Sequence, residues 1–212
     1  MSIYKETSET WNKMAELYQQ KFMDLDIYNQ SYDAFCMLLH KSNASILEIG
    51  CGPGNITKYL LDNHPDYRIL GIDVAPNMIA LAKTNNPKAH FEVKDCREID
   101  DLANTFDGII CGFCLPYIDE ADAKKFIVSC YDKLNHDGAL YISFVEGNYA
   151  DSAYKTGSNG NRVYFHYYSL EQLQQWLRAT NFEEPTVMKV AYEVEGKEPD
   201  MHTIVLTKKK KM

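Results

Sequence analysis

From residue 45 onward, short apolar runs alternate with stretches of helical period, and this alternation constrains the fold more than any other feature of the 212-residue chain. The runs at 46–49, 68–72, 90–93, 106–111 and 140–145 are too short for core helices and rich in Ile, Leu, Val and Phe, so they read as buried strands. The segments between them carry helix start signals. Pro76 opens one. Asp119-Glu120-Ala121-Asp122 puts carboxylates in the first turn of another, whose inward face is Ala123, Phe126, Ile127, Cys130 and Leu134. Asp137-Gly138 then turns the chain into the run at 140. Strands that alternate with helices pair in parallel and bury both sheet faces, so the expected fold class is α/β, doubly wound and Rossmann-like.

Two helices precede the sheet. Trp11, Met14, Ala15, Tyr18, Phe22 and Leu25 recur at three- and four-residue steps, and Tyr28, Tyr32, Phe35, Cys36 and Leu39 repeat the pattern. After residue 145 the rhythm lapses into a stretch at 146–161 rich in Gly, Ser, Asn and Tyr, a surface excursion of a length that is usually functional. Ser169-Leu-Glu-Gln172 is a capping box for a helix with Leu170, Leu173 and Leu177 inward, ended by Asn181. Residues 187–194 and 202–207 alternate as an antiparallel pair joined through 195–200.

The richest chemistry lies in Ile46-Leu-Glu48-Ile-Gly50-Cys51-Gly52-Pro-Gly54-Asn55-Ile-Thr57. A buried strand runs into a glycine turn and a helix, which lets a cofactor approach the backbone and sit over the helix N-terminus. A dinucleotide fingerprint would be G-x-G-x-x-G, whereas this loop is G-x-G-x-G with Asn55 at the third dinucleotide glycine. Glu48, inside the strand, would repel a pyrophosphate but attract an ammonium group, directly or through water. Asp73 closes the next strand, where a carboxylate accepts ribose hydroxyls, and Asp95-Cys96 ends the third, close enough to bracket an adenine. Taken singly, Glu48 reads equally as a satisfied buried acid and Asp73 as a helix cap.

Charge and cysteine usage narrow the partners. With 22 basic and 30 acidic residues the formal charge is 22 − 30 = −8, which opposes generic nucleic-acid binding. The lysines at 208–211 read as a solvated tail. No stretch is apolar enough to span a membrane or to serve as a secretory leader, so no membrane partner is expected. The six cysteines sit mostly in apolar runs, as small hydrophobes in a reducing cytoplasm. Cys111-Gly-Phe-Cys114 has redox spacing, but Leu115-Pro116 follows where a redox pair would open a helix, so both read as structural thiols.

Glu48 to Gly54, Asp73, Asp95 and Phe106-Asp-Gly-Ile-Ile-Cys-Gly-Phe-Cys-Leu-Pro-Tyr117 together resemble the successive motifs of class I S-adenosylmethionine-dependent methyltransferases, particularly bacterial small-molecule members. Trp11 and Tyr18 resemble the lid of that group, and Asp137-Gly-Ala-Leu-Tyr-Ile its fifth-strand motif. The resemblance implies a seven-stranded sheet, mostly parallel with an antiparallel last strand. It implies S-adenosylmethionine as cofactor, with Glu48, Gly50 and Gly52 near the methionine part, Asp73 on the ribose, and Asp95 with Cys96 at the adenine. Trp11, Tyr18, Cys51, Asn55, Val74, Met78, Gly112 and Phe113 complete the expected cofactor-binding set. One domain is expected: a helical lid at 1–42, a cofactor-binding core at 43–145, a substrate-side excursion at 146–168, and a final helix and strands at 169–212.

Methyl transfer from a sulfonium is an in-line displacement that needs alignment and, for a protonated nucleophile, a base. Members of this group that methylate ring or amide nitrogens often carry Asp or Asn, Pro, Pro and an aromatic after strand four, where this chain has Cys114, Leu115, Pro116 and Tyr117. Nucleobase and glutamine-side-chain acceptors are therefore disfavoured, as is a metal-dependent reaction, for want of a His/Cys/Asp cluster. The expected acceptor is an O or N nucleophile of a small molecule, and the chain is expected as a monomer or homodimer. Tyr117, Glu146, Arg162 and His166 are the candidate catalytic wall: Arg162 offers a fork to an anionic substrate, and His166 titrates near neutrality. A non-catalytic cofactor-binding partner protein and a nicotinamide-dependent oxidoreductase are the alternatives.

Overall fold

The computed structural model describes residues 2–157, 160–193, 196 and 198–210. Helices α1 (Ile3–Phe22) and α2 (Asn29–Leu39) precede the strands β1 (Ser45–Ile49), β2 (Arg68–Asp73), β3 (His90–Val93), β4 (Phe106–Gly112) and β5 (Leu134–Val145). Between these strands lie α3 (Asn55–Asn63), α4 (Pro76–Asn85) and α5 (Glu120–Lys133). Then follow β6 (Ala153–Thr156), β7 (Arg162–Phe165), α6 (Leu170–Ala179), β8 (Thr186–Tyr192) and β9 (Asp200–Lys208). The main sheet has the order β3-β2-β1-β4-β5-β9-β8, with β9 antiparallel to both of its neighbours. This is the doubly wound architecture expected, with the order reversing between β1 and β4, where open α/β sheets bind ligands at the strand carboxyl ends.

Two-residue periodicity divides the strand side chains between two cores. Ile46, Ile110 and Tyr141 pack with Phe35 of α2 and Leu60 of α3. Leu47, Ile109 and Leu140 pack on the other face with Phe126 of α5 and Leu177 of α6. Glu48 shares the face of Ile46 by this period and meets Thr57 of α3. The Ser169 box forms as expected, with the Ser169 hydroxyl accepting from Gln172 N and the Gln172 side chain accepting from Ser169 N.

Three expectations are corrected. The strand before residue 140 starts at Leu134: pairing with β4 runs from Phe106↔Leu134 to Gly108↔Ala139, and the extra residues form a bulge with Asp137 at φ 60°. Asp137-Gly138 is thus an irregularity inside β5, where Gly138 O accepts from Lys209 N, and not a turn before it. The excursion carries its own structure, an antiparallel β6–β7 hairpin outside the main sheet. Asp200, expected in a connection, pairs with Tyr192 as the first residue of β9; Val194, Glu195 and Lys197 lie outside the described residues. Among the described residues no helix is long and apolar enough to cross a membrane.

Candidate active site

The glycine turn after β1 is held open by backbone conformation. Gly50 and Gly54 have φ of +65° and +82°, and a Cβ at Gly50 would stand 2.9 Å from Cys114 Cβ. At Gly54 it would lie 2.4 Å from Asn86 Nδ2, which donates to Gly54 O at 2.9 Å. Left-handed backbone and close neighbours leave only glycine at these positions. The turn thus carries the chain from β1 into α3, whose N-terminal amides face the strand ends.

Asp73, at the end of β2, fastens the turn. Its Oδ2 accepts from Gly52 N at 3.0 Å and its Oδ1 from Ala75 N at 2.8 Å. Each oxygen keeps a lone pair for a further donor. Burial raises the Asp73 pKa, against the two amide bonds that favour the ionised form.

Glu48 is fully buried. Its Oε2 accepts from the Thr57 hydroxyl, while Oε1 has no partner. Burial pushes this carboxyl up to about 8, opposed by the Thr57 hydrogen bonds. A buried acid with one unpaired oxygen behind a glycine turn is the complement of a cationic group.

Asp95 is gripped by Arg97, whose Nε lies 3.0 and 3.1 Å from the two carboxylate oxygens. Burial works against ionisation, but the Arg97 contacts outweigh it and lower the Asp95 pKa. The Arg97 guanidinium in turn lies 3.8 Å over the Tyr4 ring of α1. These residues edge a cavity of about 400 Å³. Gly50, Gly52, Asp73, Val74, Met78, Asp95, Cys96, Gly112, Phe113 and Tyr117 line its sheet side. Trp11 and Tyr18 close it from α1, with their rings 5.7 Å apart. Glu48, Cys51 and Asn55, expected at the cofactor, are not among the residues that line it.

Of the expected catalytic wall, the structure brings only Tyr117 to the cavity, against Trp11 at 5.5 Å and Phe165 at 5.8 Å. Arg162 is occupied elsewhere: its Nε contacts Glu6 Oε1 at 2.5 Å and its guanidinium lies 4.1 Å over Tyr154. Glu146 is paired with Lys189 and accepts from Thr203, at a separate groove beside Tyr149 and Gln172. His166 is 4% exposed, enclosed by the rings of Tyr149, Tyr164 and Tyr168, with neither ring nitrogen partnered. Burial lowers its pKa despite the nearby Asp119. The hairpin uses its residues to fasten α1 instead: Thr10 donates to Arg162 O at 2.8 Å, and Tyr164 N donates to Thr7 at 3.1 Å.

Ser2, Tyr4, Lys5, Thr7, Ser8, Arg97, Cys114 and Ile118 also line the cavity and were not anticipated, and Lys94 lines it beside Asp95. A signal was present in the first helix, where Tyr4, Trp11 and Tyr18 fall at seven-residue steps and therefore share one face.

Comparison with known proteins places this arrangement. Residues 46–138 match the family described as "Methyltransferase domain". A malonyl-[acyl-carrier protein] O-methyltransferase from Acetivibrio thermocellus is 35% identical over 105 residues, 49% of this chain and 36% of that protein. A trans-aconitate 2-methyltransferase from Variovorax paradoxus is 38% identical over 99 residues, 47% of this chain and 38% of that protein. The matched segment is thus less than two-fifths of the length of these curated relatives. Among solved structures, magnesium protoporphyrin IX methyltransferase from Synechocystis superposes with a TM-score of 0.70 at 13% identity, covering 99% of this chain and 98% of that one. A Burkholderia thailandensis 1,6-didemethyltoxoflavin-N1-methyltransferase does so with a TM-score of 0.66 at 18% identity, covering 100% and 92%. Residues 46–138 thus carry a methyltransferase domain, and the fold is that of S-adenosylmethionine-dependent methyltransferases over nearly the whole chain. S-adenosylmethionine is the cofactor of that family.

Proposed function

We propose that this protein transfers the methyl group of S-adenosylmethionine to an oxygen or nitrogen nucleophile of a small molecule. The observation that carries the reading is the pairing of the orphaned, buried Glu48 carboxyl with the exposed edge of Asp73 across one glycine turn. An amino group on one side and a vicinal diol on the other are what these acids suit, which fits an amino-acid nucleoside.

The residues present suit that cofactor. Asp73, fixed by two amides, would accept the ribose hydroxyls; Glu48 would balance the ammonium directly or through water; and Asp95, Cys96, Arg97 and Tyr4 edge the adenine end. Gly50 and Gly52 leave room for the methionine part to lie against the backbone. When bound, the cofactor supplies an electrophilic methyl carbon on a sulfonium. The rings of Trp11, Tyr18, Phe113 and Tyr117 present π-faces and edges around such a cation and exclude water from it.

The named relatives act on small acids or on an acyl-carrier-bound malonyl group, which supports a small acceptor here. The test is calorimetry with S-adenosylhomocysteine and NAD, followed by transfer of labelled methyl to a panel of small acids, phenols and amines. Micromolar S-adenosylhomocysteine binding with label transfer supports the reading. NAD binding without S-adenosylhomocysteine binding points to an oxidoreductase. A bound cofactor with no transfer across the panel points to a cofactor-binding partner protein.

A further inference from the structure

Two aromatic residues of the cofactor cavity, Tyr18 and Phe113, each begin a chain of ring contacts that leads away from it toward β8 and β9. From Tyr18 the chain runs to Phe22 at 4.5 Å, then to Tyr192 at 6.4 Å, whose ring stacks on His202 at 5.3 Å and 11°. From Phe113 it reaches His202 directly at 4.8 Å and Tyr28 at 5.4 Å. The two chains meet at one polar contact, Tyr28 Oη to His202 Nδ1 at 2.6 Å.

His202 pairs with Val145 at the carboxyl end of β5, so it lies at the ligand-binding end of the sheet, beside β5. Phe113 shows that this corner is specified. It is a non-glycine residue with φ +56°, pinned because its N–H bonds to Ser143 O at 3.2 Å and Ser143 Oγ at 3.1 Å. Backbone strain of this kind costs of order 1 kcal/mol or more and persists where the surroundings impose it. Its ring lines the cofactor cavity and touches both members of the Tyr28–His202 pair.

We propose that the Tyr28–His202 pair is the proton acceptor of the methyl-acceptor site, and that the acceptor is a flat molecule bearing a hydroxyl or N–H nucleophile, held among Phe22, Phe113 and Tyr192. This rests on the methyltransferase reading above. As the acceptor's lone pair forms the new bond to the methyl carbon, the carbon–sulfur bond breaks and its electrons stay on sulfur. The acceptor's proton passes to Tyr28 Oη while the Tyr28 proton moves to His202 Nδ1, and the imidazolium later releases it to water. Charge balances, because the cationic sulfonium becomes a neutral thioether as the imidazole gains a proton.

The surroundings suit that role. His202 is held neutral by burial, opposed by Asp200 on its own strand, so an open base is present at neutral pH. Tyr192 of β8 and Tyr28 face it from the neighbouring elements, and Lys21 of α1 lies 5.0 Å over Phe22 and 5.7 Å over Tyr192, a positive charge that favours an ionising acceptor. The site escapes sequence reading because Tyr28 belongs to an ordinary helix-face pattern and His202 to a strand far along the chain.

The test uses 4-nitrophenol, a phenol coloured only when ionised, with the full-length protein saturated in S-adenosylhomocysteine. Saturable binding that raises the phenolate band at constant pH and perturbs the His202 ring resonances is expected. In His202→Asn, whose amide oxygen can still accept from Tyr28, the bound phenolate fraction should fall by about tenfold. Tyr28→Phe, which keeps the ring, should show the same loss, and both variants should bind S-adenosylhomocysteine as the wild type does. An unchanged phenolate band in His202→Asn, or no saturable binding of the phenol to the wild type, overturns the proposal. Failure of the wild type to bind S-adenosylhomocysteine defeats the methyltransferase reading instead.

Discussion

The amide of Gly52 donates to Asp73 Oδ2 at 3.0 Å, so the end of β2 holds the glycine turn that follows β1. One carboxylate therefore shapes the loop, and under the proposed function its remaining lone pairs would meet the ribose. Charge-assisted hydrogen bonds contribute about 1.5–3 kcal/mol, so Asp73→Ala should weaken S-adenosylhomocysteine binding roughly 10- to 150-fold by calorimetry. Asp73→Asn, which keeps an acceptor for one amide, should recover less than half of that loss in free energy. An unchanged dissociation constant in a folded Asp73→Ala variant would remove this residue from the site.

Glu48 should report cofactor binding through a proton. Its carboxyl is pushed up to about 8, so near pH 7 it is mostly protonated in the free protein. An ammonium group beside it favours the ionised form, and binding should release close to one proton at that pH. Calorimetry in buffers of different ionisation enthalpy measures this directly, and affinity should rise with pH until Glu48 is ionised in the free protein. In Glu48→Gln the proton release should vanish.

Gly54→Ala is predicted to destabilise the fold more than its size suggests. The left-handed backbone alone costs roughly 1–2 kcal/mol, and the added Cβ at 2.4 Å from Asn86 Nδ2 would displace the bond that side chain makes to Gly54 O. Gly52 is also left-handed, with φ +52°, and carries the same backbone cost, but a Cβ there would find Tyr18 at 3.5 Å and Met78 Sδ at 4.0 Å, ordinary contacts on the cavity side rather than a displaced hydrogen bond. Gly52→Ala should therefore lose cofactor affinity out of proportion to stability. Urea denaturation alongside calorimetry separates the two, and equal ratios in both variants would contradict this division.

His166 makes stability depend on pH. Its folded pKa lies below its ordinary value of 6.5, so the unfolded chain binds a proton more readily. The contribution of neutral, buried His166 is fully present above about pH 6.5 and is lost as pH falls toward its depressed folded value. His166→Phe preserves the ring among Tyr149, Tyr164 and Tyr168 and removes two unpaired nitrogens. Melting temperatures should then fall less between pH 7 and pH 5 than in the wild type. A loss of methyl transfer in this variant with cofactor binding intact would return His166 to the reaction.

Helix α1 is expected to act as a cover. The Glu6–Arg162 pair, Thr10 and Thr7 bind it to the hairpin, while Asn12 accepts from Asn77 N at 2.8 Å on the other side. Arg162→Ala should speed hydrogen exchange of residues 3–22 in the free protein, and S-adenosylhomocysteine should slow it in both forms. Exchange indifferent to the ligand would make α1 fixed structure.

The alternation of strands and helices, both buried faces, the glycine turn and its acids were legible because each depends on local period or on backbone conformation. Residues 46–49 alternate between two cores, and Gly50, Gly52 and Asp73 lie within one strand–turn–helix–strand unit. Chain neighbours impose such features whatever the rest of the molecule does. Placement of Arg162, Glu146 and His166 was different, because each found a partner or enclosure more than 15 positions away in the chain: Glu6, Lys189 and the Tyr149 ring. The same holds for His202, whose meeting with Tyr28 spans a separation of 174 residues. A side chain's charge and size can be read from its letter, but its partner is settled by packing and by the closure of long loops, and only the tertiary structure carries that choice.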